Sequence, residues 1–395
     1  MNILHVTLGF YPAQTWGGPV KSVNRISKEL IKRGHQVTIY CTNLLNKKHK
    51  IQTGTFERNF NGIRVVYFNT WNLPWWPGTL GPIWLPDLNA CLKREMRSFD
   101  VVHVHGYRSP IIPPIVRAAK QENIPIVTQP RGTLSIVVNS ILVKHIYDCL
   151  IGRLEIKNIS ALIALQESER QQALAHGIPG ERIEIIPNGI DLRDRDLLPE
   201  KGSFRRKYSL APNRRVILFL GRINKKKGVD MLIEAFDRLK RMNAQLVIAG
   251  PDDGHLSEVQ KLIKKYNLRD NVKFLGLLSG TDVLSAFQDA DLFVLPCRND
   301  TFPNTIMESC LVGTPMVITD RCEIAHLVKD RVAKVVPFDA QAFADAMELM
   351  LTDRRLYDNY RSNCSTVVVD TFSLQHEVDC IEAVYHRVIA EKAEC

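Results

Sequence analysis

Three short segments carry residue types able to handle a phosphorylated substrate. The densest is Gly221-Arg222-Ile223-Asn224-Lys225-Lys226-Lys227-Gly228. Arg222 offers a planar fork that grips a phosphate through two N–H groups, and Lys227 adds a compact point charge. Gly228 lets the backbone come close to a ligand. Two cations beside a diphosphate neutralise a leaving group as a divalent metal would, each charge-assisted bond contributing about 1.5–3 kcal/mol. The second segment, Asp300-Thr301-Phe302-Pro303-Asn304-Thr305-Ile306-Met307-Glu308, sets two carboxylates eight positions apart. Such a pair accepts hydrogen bonds from two separate sets of hydroxyls, while the N–H groups near Asn304 and Thr305 open a helix toward an anion. The third is Gly17-Gly18-Pro19, where N–H groups at a helix start are unobstructed by side chains. Each segment also has a plainer reading: a solvated basic loop, an N-capped helix with a surface glutamate, and a turn. Gly17 and Gly18 are not the dinucleotide fingerprint, because no G-x-G-x-x-G follows the strand.

These segments need elements to hold them. Short apolar runs at 3–8, 37–41, 63–68, 101–105, 124–128, 161–165 and 183–186 read as buried strands. Helices are expected at Val20–Ile31, stopped by Gly34, and near 111–121, 142–156 and 167–176. The pattern restarts with strands at 216–220, 246–249, 272–275, 292–295, 316–319 and 333–336, a helix at 229–241, and three helices closing the chain. All-apolar strands between amphipathic helices imply parallel sheets covered on both faces. Two such series predict two doubly wound α/β domains, with the seam in the polar stretch Asp191–Arg215. Ligands of such folds bind at the carboxyl ends of the strands, which puts the expected site in the cleft the domains face across.

At 395 residues the chain is long enough for two or three domains. Its 45% hydrophobic and 24% charged residues exclude a disordered chain. No apolar run reaches ~18 residues, so no membrane-spanning helix is expected. Met1–Val6 has neither the basic region nor the cleavage site of a secretory signal. Lys plus Arg total 52 against 42 acidic residues, a net charge of +10 that favours anionic partners. Nine cysteines, an odd number with no C-x-x-C, predict reduced thiols in a cytoplasmic protein rather than a zinc site or disulfide framework. Asp194-Arg195-Asp196, in the polar linker, is assigned no metal, and Asp252-Asp253-Gly254 reads as a turn.

In this order, the three segments resemble the retaining nucleotide-sugar glycosyltransferases of glycosyltransferase family 4, with the GT-B fold of two Rossmann-like domains. The resemblance spans essentially the whole chain. It includes Gly34-His35-Gln36-Val37, Asp100-Val101-Val102-His103-Val104-His105, Ile186-Pro187-Asn188-Gly189-Ile190-Asp191 and Gly313-Thr314-Pro315. It implies an acceptor-side domain over 1–195, a donor-binding domain over 210–372, and a last helix, 373–395, crossing back to the first. Arg222 and Lys227 would hold and stabilise the departing diphosphate, approached from the N-terminal domain by Gly17 and Gly18. Glu308 matches the family's second paired glutamate, which binds ribose hydroxyls. Asp300 falls where the first glutamate contacts the transferred sugar, and is one methylene shorter. Phe302, Pro303, Asn304 and Thr305 match the donor-binding turn. Where many members carry a sugar-positioning histidine, this chain has Arg131 in Gln129-Pro130-Arg131-Gly132. Arg131 is then a candidate contact for a phosphate or anionic acceptor. His105 is the remaining candidate for a polar group facing the cleft, although a lone histidine at a strand end is more often structural.

The implied enzyme is a metal-independent retaining hexosyltransferase with no cofactor. It would use a UDP- or GDP-linked sugar and a glycan or lipid-linked glycan acceptor in cell-surface polysaccharide assembly such as capsule or lipopolysaccharide. Closure of the two domains would complete its active state. Trp71, Trp75, Trp76 and Trp84 fall in one Pro- and Gly-rich stretch read as a loop, and Ile136–Val143 is a second apolar stretch leading into Lys144 and His145. With the positive charge, these suggest peripheral contact with an anionic membrane at the inner face of the cell membrane. Three rivals stand beside this reading. An epimerase or hydrolase on the same fold would need more acid/base groups than the segments offer. A catalytically weak partner of another transferase is suggested by Asp300. A nucleic-acid binder would need a binding module, and none is recognisable.

Overall fold

The computed structural model describes residues 1–46, 49–72, 83–134 and 147–393. Outside them lie Lys47, Lys48, Trp75, Trp76, the stretch Ile136–Val143 with Lys144 and His145, and Cys395. The chain forms two compact units: Met1–Asn188 with Leu374–Cys395, and Gly189–Ser373. The polar stretch 191–215 packs within the second unit, where the Asp289 carboxylate accepts the N–H groups of Gly202, Phe204 and Arg205 at 2.6, 2.9 and 3.2 Å.

The first unit is built on β1 (Asn2–Thr7), β2 (Gln36–Thr42), β3 (Phe56–Phe60), β4 (Ile63–Phe68), β7 (Val101–His105), β8 (Ile126–Gln129), β9 (Ala161–Ala164) and β10 (Ile183–Ile185). Their order is β10-β9-β8-β7-β1-β2-β4-β3, parallel except for β3, which pairs antiparallel with β4. The strands β5 (Trp71–Asn72) and β6 (Ile83–Trp84) form a separate antiparallel pair. The stretch read as a plain loop is therefore closed at its described ends by a ladder that opposes Trp71 to Trp84, both more than 60% exposed. The helix Gly18–Lys32 buries Val20, Val23, Ile26 and Leu30, one stripe at helical spacing, against the sheet. The expected helix at 142–156 is described only from 147 onward. There it winds as a π-helix over Asp148–Gly152 before a short α-helix, Arg153–Lys157. Gly152 sits in this wide turn, and a side chain there would meet the Tyr107 hydroxyl.

The second unit is a six-stranded, all-parallel sheet of β11 (Arg215–Leu220), β12 (Ala244–Ala249), β13 (Val272–Gly276), β14 (Leu292–Leu295), β15 (Met316–Thr319) and β16 (Ala333–Val336). Its order is β13-β12-β11-β14-β15-β16. The order reverses between the neighbours β11 and β14, and in the first unit between β1 and β7. These switch points are where doubly wound sheets leave a crevice at the strands' carboxyl ends. The last helix, Leu374–Ala393, belongs to the first unit and buries Leu374, Val378, Ile381, Tyr385 and Val388 in the same cluster as Ile3 and Val23.

Gly228 shows how tightly the second switch point is built. Its φ is +67°, and a Cβ there would lie 1.9 Å from the Pro296 carbonyl oxygen. Gly34 also has positive φ, +87°, but nothing within 4 Å of its missing Cβ. Gly34→Ala is therefore expected to cost only the left-handed backbone strain, about 1–2 kcal/mol. Gly228→Ala adds a backbone collision and is expected to cost about 2–5 kcal/mol. Urea unfolding of the two variants checks this; equal losses would mean that the contact with Pro296 yields without cost.

Candidate active site

In the second unit, β11 ends directly before Gly221-Arg222, and β14 directly before Pro296. Because these strands are neighbours, the basic and acidic segments emerge side by side at one sheet edge. The basic segment folds as a single 3-10 turn, Lys225–Lys227, whose end is fixed by the Asn224 side chain accepting from the Lys227 N–H at 3.2 Å. The Lys227 ammonium contacts the Asp300 carboxylate, both side chains being 18% exposed. Arg222 stands further out, 48% exposed, with Nη1 3.1 Å from the Asp253 carboxylate. Asn224 Nδ2 donates to the same Asp253 oxygen at 3.0 Å.

Two residues that sequence reasoning missed brace this turn. Arg298 donates its N–H to the Lys226 carbonyl and a guanidinium N–H to that of Lys225, each at 2.7 Å. It also holds Asp230 through two N–H groups at 2.8 and 2.6 Å, and lies over the Phe338 ring. Asp253 was absorbed into a turn reading, which its neighbour fits: Asp252 accepts the N–H groups of Gly254, His255 and Leu256. The parallel pairing of β11 with β12 is what brings Asp253 to Arg222 across 31 positions.

Asp300 sits in the loop after β14, held by a bridge to Cys322 and by its carbonyl accepting the Glu323 N–H at 2.9 Å. Phe302 is 8% exposed and meets Phe372 edge-on. Pro303 precedes the helix Asn304–Val312, so Asn304 and Thr305 occupy its first turn as expected. Glu308 is 1% exposed, which excludes the surface-glutamate reading. A carboxylate placed inside a helix and out of solvent is costly unless hydrogen-bonded. Cys297 and Cys310 are buried, and with Cys41, Cys91, Cys322, Cys364 and Cys380 they are free thiols.

In the first unit Gly17 caps and Gly18 opens the helix Gly18–Lys32, with Pro19 in its first turn. The preceding turn is tied down by Thr15 Oγ1 and Trp16 Nε1 donating to the carbonyls of Leu45 and Leu44 at 2.6 and 3.1 Å. At this unit's switch point the structure brings His105 and Arg131 together with residues the sequence did not single out. His5 on β1 and His103 and His105 on β7 stack as a buried group, at 0, 0 and 4% exposure. Arg131 Nε donates to His105 Nδ1 at 3.3 Å, Nη1 to Asn188 at 2.6 Å and Nη2 to Gln129 at 2.7 Å. His105 Nε2 lies 2.7 Å from His5 Nδ1, and His103 Nδ1 lies 2.6 Å from the Tyr385 hydroxyl. Burial, then Arg131, lowers His5 to about 3. Burial first, and the neighbouring histidines and Arg131 after it, hold His103 and His105 well below the usual range. Burial lowers Arg131 to about 10.

Among the described residues these histidines are the cluster with metal-ligand spacing, their donor atoms within 4.8 Å of one another. Their chemistry does not fit a cation. With Arg131 donating to Nδ1, neutral His105 carries its proton on Nε2 and spends it on His5, so neither nitrogen has a lone pair to give. The guanidinium adds a positive charge beside it. The group is a neutral hydrogen-bonded stack.

Residues 16–194 match the family described as Glycosyltransferase Family 4, and residues 200–366 match that described as Glycosyl transferases group 1. The chain belongs to the family 4/group 1 glycosyltransferases. Alpha-D-kanosaminyltransferase of Streptomyces kanamyceticus is 28% identical to it over 59% of this chain and 62% of the relative. N-acetyl-alpha-D-glucosaminyl L-malate synthase of Bacillus anthracis is 22% identical over 98% of both. Among solved structures, Anabaena HepE in complex with UDP and glucose superposes with a TM-score of 0.77 at 19% identity, covering 98% of this chain and 100% of that one. WaaG, a glycosyltransferase involved in lipopolysaccharide biosynthesis, gives 0.69 at 18% identity, covering 97% and 98%. The fold of this glycosyltransferase is thus GT-B: two α/β units, each a parallel sheet wound in both directions.

Proposed function

We propose that this glycosyltransferase moves a hexose, with retention and without a metal, from a UDP- or GDP-sugar to a hydroxyl of a glycan or lipid-linked glycan. The observation that carries the reading is the pairing at the second switch point. Adjacent strands bring two cations and two carboxylates to one edge, with Lys227 on Asp300 and Glu308 withdrawn from water. In the proposed reaction the C1–O bond to the diphosphate breaks first, and Arg222 and Lys227 stabilise the charge left on the departing oxygen. That oxygen takes the proton of the acceptor hydroxyl, whose own oxygen closes on C1 from the same face. Glu308 would accept ribose hydroxyls and Asp300 those of the transferred sugar, with Phe302, Pro303, Asn304 and Thr305 shaping the donor turn. Gly17 and Gly18 are proposed as further diphosphate contacts, and Arg131 as an acceptor-side contact held in place by His105. Cell-surface polysaccharide assembly, in the cytoplasm at the membrane's inner face, is the proposed setting. No helix among the described residues is long and apolar enough to cross a membrane. The exposed Trp71 and Trp84 favour surface contact instead, and failure to sediment with anionic liposomes at low salt would remove that part.

The test is thermal shift against UDP-, GDP- and ADP-sugars, with and without magnesium. Binding to the native state alone must raise its apparent stability. A magnesium-independent rise with one nucleotide, lost in Lys227→Ala, is expected; no rise with any of them would overturn the donor assignment. Asp253 offers a graded check. Its contact with Arg222 is exposed, and such pairs contribute at most about 1 kcal/mol. Asp253→Ala is therefore expected to raise KM for the donor no more than about fivefold, with kcat nearly unchanged. A hundredfold loss would show that Asp253 itself touches substrate.

A further inference from the structure

The second unit has a cavity of about 380 Å³ at the amino-terminal edge of its sheet, walled by the start of β11, the residues just before β14 and one face of the helix Arg354–Thr371. We infer that it is a second anion site, built for a small phosphate ester that also carries hydroxyls, such as a sugar phosphate.

The charge on its wall is unbalanced. Lys201, Arg205, Arg215, Arg354 and Arg361 face two carboxylates, Asp289 and Asp291. Both carboxylates are already spent. Asp289 accepts three backbone N–H groups. Asp291 takes Arg205 at 2.7 Å, Arg215 at 3.1 Å and the Val216 N–H at 2.7 Å. Arg354 is drawn to Asp358, outside the cavity wall, at 2.8 Å. Lys201 and Arg361 have no carboxylate within bonding distance among the described residues, so the surplus cations are theirs. Arg354, Tyr357 and Arg361 recur at helical spacing, which turns one helix face into the cationic wall. Gln288, on the same wall, brings a side-chain amide, a group that both donates to and accepts from hydroxyls. The volume suits a ligand of hexose phosphate size.

The site is separate from the donor edge. β11 has Arg215 in the cavity wall at its start and Leu220, just before Gly221 and Arg222, at its end, a run of roughly 17 Å. The helix Asn304–Val312 likewise starts in the donor turn and ends at Val312, on the cavity wall.

The experiment is titration calorimetry with glucose 6-phosphate, with glucose as the uncharged control. Wild type and Lys227→Ala are expected to bind glucose 6-phosphate saturably at one site, and glucose not at all. Lys201→Glu/Arg361→Glu is expected to weaken binding at least tenfold while keeping its thermal response to nucleotide sugar, so this inference and the donor assignment fail separately. Both side chains are exposed, and Arg361→Gln, with an expected loss of several fold, serves if the double variant unfolds. No saturable binding, binding indifferent to these substitutions, or binding lost in Lys227→Ala each overturns the site. So does attachment only to vesicles containing phosphatidic acid, which would assign the cations to a lipid headgroup.

Discussion

Lys227→Ala is expected to lower kcat/KM for the nucleotide sugar by about 10²–10³, the usual loss when one preorganised donor to a developing anion is removed. Most of it should fall on kcat, because the leaving oxygen gains its charge only as the bond breaks. The structure supplies a second reason. Lys227 is the ion partner of Asp300, and both side chains are largely withdrawn from water. Removing the cation leaves a carboxylate unbalanced beside the incoming diphosphate, which repels the donor as well as failing to hold its leaving group. Asp300→Asn in the alanine background should therefore recover some affinity but little turnover. A kcat within threefold of wild type in Lys227→Ala would sink the assigned role.

The second large effect is expected from acid. His5, His103 and His105 are neutral in the folded chain, with His5 lowered to about 3 and the others well below the usual range, first of all by burial. Unfolded histidines take up a proton near 6.5. Above that pH both states are neutral and the histidines favour neither. Below it the unfolded chain binds protons that the folded chain refuses, so stability falls from about pH 6.5 toward 3, by about 1.4 kcal/mol per pH unit for each histidine. Arg131 faces the stack and reinforces the refusal, Tyr385 is its other polar neighbour, and the carboxylates of Glu169 and Glu377 act on Arg131. His5, lowered to about 3, by itself removes about 2 kcal/mol over a drop of 1.5 pH units, and His103 and His105 act in the same direction. Urea unfolding from pH 8 to 5 should show this steep loss, with proton uptake on unfolding at pH 6. A flat profile between pH 7 and 5 would mean the stack already carries a proton.

The strands of both sheets were readable because buried parallel strands must be apolar almost throughout, as at Leu292–Leu295 and Met316–Thr319. β3 was not, since Phe56-Glu57-Arg58-Asn59-Phe60 lies on an exposed edge and needs no apolar run. The missed signal was Asn61-Gly62, both with positive φ, a two-residue hairpin turn joining β3 to β4. The helix Leu88–Glu95 was also overlooked, though Leu88, Cys91 and Leu92 mark its buried face. At the site, Lys227 and Asp300 stand out in the sequence because each lies in the loop after a strand, and Glu308 because it matches the family's paired-glutamate motif; the structure brings Lys227 and Asp300 together. Asp253, Arg298 and His5 do not stand out, because their partners are set by sheet register and lie at least 29 positions away.

The chain enters the first unit, leaves it at Asn188 and returns at Leu374. During synthesis, that unit must wait for its last helix. The 185 residues from Gly189 to Ser373 are made in between, which at about 5–20 residues per second takes roughly 10–40 s. Through that interval the apolar cluster around Ile3 and Val23 lacks Val378, Ile381 and Tyr385, and His103 lacks its hydroxyl partner. The second unit is contiguous and free to finish first. The nascent chain is thus expected to reverse the order of its two units, with the second maturing before the first, which is held as a client for chaperones until the helix Leu374–Ala393 has been made.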